Sequence, residues 1–321
     1  MRILIIGAAG MLGRKLSERL IRDGALGTRP IAELTLADVA AGAGPCAGML
    51  DADLSEPGVA GELIASRPDV IVDLAAVVSG EAETDFEKGY RVNLDATRHL
   101  LEAIRLAGSG YRPRLVFSSS IAVFGPPMPD VIADDHPTTP ATSYGTQKAI
   151  VELLLSDYTR RGFLDGVAIR LPTICVRPGA PNLAASGFFS NIIREPLHGR
   201  TAVLPVAPDV RHWFASPRAA VGFLIHAATL DTSVLGARRA LTMPGLSATV
   251  GEQIEALRRV AGDDAVALIR SEPDDAIARM IDGWPRAFDA RRATELGFVA
   301  EREFDEIVRV YVEEEMGGAA G

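Results

Sequence analysis

Tyr144 and Lys148 stand four residues apart, so a helix through them carries both side chains on one face, about one turn apart. That pair can do proton chemistry. A free phenol, with a pKa near about 10, is a poor base at neutral pH. A lysine cation beside it favours the phenolate and moves it toward a useful range. Ser118-Ser119-Ser120, the last of them 24 residues before Tyr144, closes the apolar run Leu115-Val116-Phe117. This places hydroxyls at the carboxyl end of a strand, where open α/β sheets bind their ligands. A Tyr-x-x-x-Lys pair also occurs on ordinary amphipathic surface helices, so its weight depends on its company.

That company begins at the N-terminus. Gly7-Ala8-Ala9-Gly10-Met11-Leu12-Gly13 follows the apolar run Ile3–Ile6. Glycines there permit a tight turn, a close approach of backbone to a pyrophosphate, and close helix–strand packing. The helix that follows offers free N–H groups and a partial positive charge to phosphates. Gly7, Gly10, Met11, Leu12 and Gly13 are therefore candidate cofactor residues. A glycine turn alone is weak evidence, because any α/β protein uses such turns. Asp38, 25 residues after Gly13, ends the next strand. An acid there accepts hydrogen bonds from ribose hydroxyls and repels a 2′-phosphate, which favours NAD over NADP.

The elements that must position these residues alternate between short apolar runs and helical stretches, the signature of a parallel sheet wrapped by helices. Strands are predicted at Arg2–Ile6, Glu33–Ala37, Val70–Leu74, Arg114–Ser118 and Gly166–Leu171. Helices are predicted at Met11–Arg22, Arg91–Leu106 and Tyr144–Arg161. From 173 to 210 the rhythm breaks into a Pro-, Gly-, Asn- and Ser-rich stretch, read as irregular and as binding loops. Val250–Ala261 and Phe304–Glu315 read as helices of a smaller C-terminal part. Ala40–Gly48 reads as a surface loop and Gly317–Gly321 as a frayed tail. The expected architecture is α/β, a Rossmann-type doubly wound parallel sheet with a smaller C-terminal substrate-binding part. Residues 1–172 would form the NAD-binding domain and 173–321 mainly the substrate-binding region, with the chain crossing back to the first.

Bulk composition narrows the function. With 33 basic and 42 acidic residues the net charge is −9, unlike a nucleic-acid binder, although a few local arginines can still hold an anion. The two cysteines, Cys46 and Cys175, make no disulfide framework, and the five histidines lack metal-ligand spacing, so no metal is expected. Ile3–Ile6 is interrupted too soon for a signal peptide, and no apolar run approaches the roughly 18 to 20 residues needed to span a bilayer. A cytoplasmic protein without membrane contact is expected.

The Gly-x-x-Gly-x-x-Gly spacing, Tyr144, Lys148 and the stretch Phe117-Ser-Ser-Ser-Ile-Ala-Val-Phe-Gly125 resemble the extended short-chain dehydrogenase/reductase family. The resemblance implies that Ser120, just before Ile-Ala-Val-Phe-Gly, is the catalytic hydroxyl, with Ser119 the second choice and Ser118 serving the backbone and cofactor side. It assigns Tyr144 as base and has Lys148 orient the nicotinamide ribose. It also implies that Asp53-Leu54 holds the adenine, that Leu74-Ala75-Ala76 turns beneath the cofactor, and that Asn93 and Pro172 lie near it. Asp73 stands where many relatives have histidine. Arg170-Leu171-Pro172, Arg211-His212-Trp213 and Leu296-Gly297-Phe298 extend the likeness over nearly the whole chain. A homodimer is implied as well.

Within that family, Thr142–Lys148, Leu171–Gly179 and Ala185–Phe189 are similar to the D-erythronate dehydrogenases. This implies oxidation of the C2 hydroxyl of a four-carbon sugar acid. Such a carboxylate calls for an arginine fork. Arg177 and Arg211 are the candidates, the alternative for each being a structural salt bridge or a solvated side chain. Ser79, Ser186 and His212 are candidates for the substrate hydroxyls, although each taken singly fits a structural role better, His212 as a packing or capping histidine. The alternatives are a UDP-sugar epimerase, an L-threonine dehydrogenase, or a non-catalytic NAD-binding regulator on the same scaffold.

Overall fold

In the computed structural model, residues 1–40, 48–108, 110–179 and 186–317 are described; Cys46 and most of the Ala40–Gly48 and Gly317–Gly321 segments lie outside them. These residues form two compact units. The first comprises Met1–Val123, Thr142–Arg170 and Val221–Leu241; the second comprises Phe124–Ala141, Leu171–Ala220 and Thr242 onward. The units are interleaved in sequence, with Val221–Leu241 belonging to the first and Phe124–Ala141 to the second.

The first unit is built on a seven-stranded sheet. Its order is Ala240–Thr242, Asp165–Leu171, Arg114–Ser120, Val70–Asp73, Arg2–Ile6, Glu33–Asp38, Leu50–Asp51. Every pairing from Arg114–Ser120 across to Leu50–Asp51 is parallel. Ile3 to Ile6 and Val70 to Asp73 are buried, which explains why these strands read as unbroken apolar runs. From Arg2–Ile6 the chain adds strands on one side and then returns to add them on the other. The crevice where that order reverses lies outside the carboxyl ends of Ile6 and Asp73, the position at which such sheets bind ligands.

Met11–Asp23 packs Leu16 and Leu20 inward and stops at Gly24, which adopts the left-handed conformation (φ 63°). Ser143–Arg160 is capped by Thr142, whose side chain accepts the Gly145 N–H. The expected helix over Arg91–Leu106 is two pieces: Arg91–Asp95 winds as a π-turn and Ala96–Leu106 continues as α-helix. Asn93, buried within that turn, accepts the Val77 N–H and donates to the Val77 oxygen and to Gln147 Oε1. These bonds go with the wider winding, an effect that apolar periodicity cannot reveal.

The 173–210 stretch is more ordered than expected. It holds strands at Thr173–Ile174 and Ala202–Leu204 and a helix at Gly187–Leu197. Phe188, Phe189, Ile192, Ile193 and Leu197 form that helix's buried face in the second unit's core. Flanking prolines and glycines masked this periodicity, and Pro196 lies inside the helix, one residue before its end. Val250–Val266 runs past the expected Ala261, across a break at Gly262 (φ 85°).

Candidate active site

Three strand ends of the first unit, at Ile6, Asp38 and Asp73, surround the glycine turn. Gly7 has φ 80°, and a Cβ on it would lie 2.7 Å from the Ala75 nitrogen and the Leu74 carbonyl carbon. A Cβ on Gly13 would lie 2.3 Å from the Gly7 oxygen. Only glycine satisfies both packing demands. Gly10 caps the following helix with no side-chain bond, and the first turn carries no acid. The leading N–H groups, through Met11 and Leu12, are therefore left for an anion. Asp38 stands beside them, its Oδ2 accepting the Ala9 N–H at 2.9 Å and its Oδ1 the Ala40 N–H at 2.9 Å. This cradle fits a dinucleotide pyrophosphate with an acid for its ribose.

Other predicted cofactor residues have different local tasks. Asp53 Oδ1 accepts both the amide and the hydroxyl of Ser55, forming an Asx turn. Leu54 is buried, and its carbonyl lies 3.1 Å from His99 Nδ1. Ala75 donates its amide to Asp73 Oδ1 at 3.3 Å, shaping the Leu74-Ala75-Ala76 turn. The side-chain bonds of Asn93 all go to Val77 and Gln147, so it fastens the segment after Ala76 to the Ser143–Arg160 helix. Pro172 is buried and follows directly on Leu171, the last residue of its strand.

The three serines separate cleanly. Ser118 Oγ donates to the Asp73 main-chain oxygen at 3.0 Å, and its own carbonyl accepts Lys148 Nζ at 2.8 Å. Ser119 is buried, with Oγ donating to Glu152 Oε1 at 2.6 Å. Ser120 is half-buried, and its Oγ accepts the Ala122 N–H at 3.1 Å. That bond leaves the Ser120 proton to donate elsewhere. Of the three, Ser120 alone is partly exposed and has its hydroxyl proton uncommitted.

Lys148 is buried, with Nζ 4.5 Å from the Phe117 ring centroid and 5.6 Å from that of Tyr144. Burial brings its pKa down from 10.5 to about 8, opposed by the charges of Asp73 and Glu152. The opposing Asp73 is itself buried, which pushes its carboxyl up, while Lys148, Thr97 and the Ala75 amide pull it down. Thr97 Oγ1 donates to its Oδ2 at 3.1 Å.

Sequence reasoning missed the layer beneath. Glu152, one further turn along the Lys148 helix, takes a two-pronged bond from Arg170, at 2.9 Å from Nε to Oε1 and 2.7 Å from Nη2 to Oε2. The signal was present as a second four-residue step, 144–148–152, but pairing with Arg170 needs the neighbouring strand.

The substrate candidates fall in both units. Ser79, in the first, opens the short helix Ser79–Thr84. In the second, Ser186 precedes the Gly187–Leu197 helix without capping it. Arg177 Nε donates to the Ile174 oxygen at 3.2 Å, and the Arg177 amide donates to Ser190 Oγ at 3.0 Å. Arg211, with its side chain 40% exposed, donates to the Ser247 oxygen at 3.0 Å and lies 3.4 Å from Glu252. Its carboxylate partner is thus internal. His212 is buried between Thr173 Oγ1 and the Pro285 oxygen and stacks on Phe189. Burial pushes its pKa down to about 4, so it serves as a neutral packing residue. No group of metal-ligating side chains occurs among the described residues, and no described helix is long and apolar enough to cross a membrane.

Comparison with known proteins identifies the family. The chain is 48% identical over 321 residues to D-erythronate dehydrogenase of Cupriavidus necator, covering 98% of each chain. It is 40% identical over 320 residues to the enzyme of that name from Haemophilus influenzae, covering 98% of this chain and all of the other. The crystal structure of a nucleoside-diphosphate-sugar epimerase from Agrobacterium tumefaciens superposes with a TM-score of 0.95 at 63% identity, over 100% of this chain and 96% of that one. L-threonine dehydrogenase from Clostridium difficile shares the fold, with a TM-score of 0.87 at 21% identity. The model of the NAD dependent epimerase/dehydratase family matches residues 3–214, and this chain belongs to that family.

Proposed function

We propose that this protein is an NAD-dependent dehydrogenase that oxidises the C2 hydroxyl of D-erythronate to 2-dehydro-D-erythronate. The observation that carries the reading is full-length similarity, at 48% and 40% identity, to two D-erythronate dehydrogenases. It joins a chain that carries Ser120, Tyr144 and Lys148. The chemistry that NAD supplies when bound is acceptance of a hydride from C2. The protein's share is protonic and electrostatic. Tyr144 takes the C2 hydroxyl proton, Ser120 donates to the same oxygen, and the Lys148 ammonium stabilises the phenolate. Gly7, Gly10, Met11, Leu12 and Gly13 would hold the pyrophosphate and Asp38 the ribose.

In this reading the first unit carries NAD and the second carries substrate residues. Arg177 and Arg211 are the proposed carboxylate partners, and Arg211 would have to exchange Glu252 and Ser247 for the substrate. Pairs this exposed are weak, so that exchange costs little. A homodimer and a cytoplasmic location complete the proposal.

The relationship at 63% identity to a nucleoside-diphosphate-sugar epimerase favours a second reading, in which NAD stays bound and no net oxidation occurs. The deciding experiment measures NADH formation with D-erythronate, L-threonate, L-threonine and UDP-sugars. Stoichiometric NADH with D-erythronate supports the dehydrogenase. Interconversion of a UDP-sugar without released NADH would replace it with the epimerase. In either case Tyr144→Phe is expected to abolish turnover while NAD binding survives.

A further inference from the structure

At the amino ends of the first unit's strands, opposite the glycine turn, lies an open cavity of about 840 Å³. Arg2, Arg29, Arg67, Arg112 and Arg114 line it, against the two acids Asp69 and Asp165. This is a local cationic excess in a chain whose net charge is −9.

The acids are already engaged. Asp165 pairs with Arg114 at 2.8 Å and with Arg239 at 3.3 Å, while Asp69 accepts the Arg2 main-chain N–H at 2.7 Å. Among the guanidiniums, Arg112 spends one donor on the Leu164 oxygen, and the exposed side chains of Arg2 and Arg29 have no hydrogen-bond partner among the described residues. Arg67 is held in place instead. It is the one non-glycine residue with positive φ (49°) among those described. Its Nη2 donates to the Ala107 oxygen at 2.6 Å, and its guanidinium lies 5.5 Å from the centre of the Tyr111 ring. Tyr111 in turn is fixed through its hydroxyl to the Pro68 oxygen at 3.0 Å. The wall therefore combines a pre-positioned cation and an aromatic ring with two uncommitted guanidinium forks.

We propose that this cavity binds a small phosphorylated anion carrying at least two negative charges, at a site separate from the glycine turn. Guanidinium forks match phosphate oxygens two at a time, and the uncommitted donors of Arg2 and Arg29 give such an anion partners that the protein does not supply. Arg114 sits at the cavity and Ser120 at the far end of the same strand, six residues on, roughly 20 Å away at about 3.3 Å per residue. The ligand therefore cannot be touching the reacting groups.

The test is calorimetric titration of inorganic pyrophosphate into the full-length protein at low ionic strength, with and without saturating NAD. Saturable binding that persists with NAD present, and weakens by about tenfold or more in Arg2→Gln/Arg29→Gln with unchanged thermal midpoint, supports the site. Arg29→Gln alone, altering an exposed side chain, provides the same comparison should the double variant fold poorly. Absence of saturable binding, equal binding by the variants, or complete displacement by NAD would each overturn it.

Discussion

Lys148 Nζ donates to the main-chain oxygen of Ser118 at 2.8 Å, tying the Ser143–Arg160 helix to the strand that ends in Ser120. Together with the Ser119–Glu152 bond at 2.6 Å, it joins the element that carries the proposed base to the element that carries the proposed hydroxyl. It also holds an ammonium in a buried place, where its charge depends on its neighbours.

That dependence sets a pH profile. Burial lowers the Lys148 pKa to about 8, so the cation is present below that pH and lost above it. Turnover is expected to decline above about pH 8 as the charge supporting the Tyr144 phenolate disappears. Asp73 opposes the loss, so Asp73→Asn should move the descending limb to lower pH. A limb that stays in place would show that Asp73 is protonated and contributes no charge. The measurement is kcat/KM against pH for both proteins.

Ser120→Ala should lower kcat by on the order of 10²-fold, the usual cost of one donor to a reacting oxygen. Ser119→Ala should leave kcat within a few-fold and cost about 1 kcal/mol of stability, because its hydroxyl serves Glu152. Steady-state kinetics together with urea unfolding distinguishes them; a larger kinetic loss in Ser119→Ala would reverse the assignment.

Asp38→Asn keeps an oxygen for the Ala9 N–H while removing the charge. The ratio of kcat/KM with NADP to that with NAD should rise by about tenfold, which corresponds to about 1.4 kcal/mol. An unchanged ratio would take Asp38 out of the ribose site.

Glu152 and Arg170 form a buried ion pair, with side chains 7% and 9% exposed. Glu152→Gln removes the carboxylate that faces the buried Arg170 guanidinium and should cost about 3–5 kcal/mol. Replacing both residues with apolar ones of similar volume should cost much less, because no buried charge is left over. Chemical denaturation of the two variants gives the comparison directly.

The sequence by itself determined what depends on local chemistry. Ile3–Ile6 and 70–72 are unbroken apolar runs because both faces of their strands are covered, and the Gly7–Gly13 turn follows from backbone that tolerates no Cβ at Gly7 or Gly13. The four-residue step from Tyr144 to Lys148 likewise placed both on one helix. Tertiary structure decided what depends on neighbours distant in the chain. Which of three adjacent serines keeps its proton free depends on Asp73 and Glu152, 45 and 33 residues away. The π-turn at Asn93 goes with bonds to Val77 and Gln147, and Arg211 faces Glu252 and Ser247. Hydrophobic periodicity records which side of an element is covered, whereas hydrogen-bond partners and buried charge pairs are chosen only when strands and helices remote in sequence are brought together.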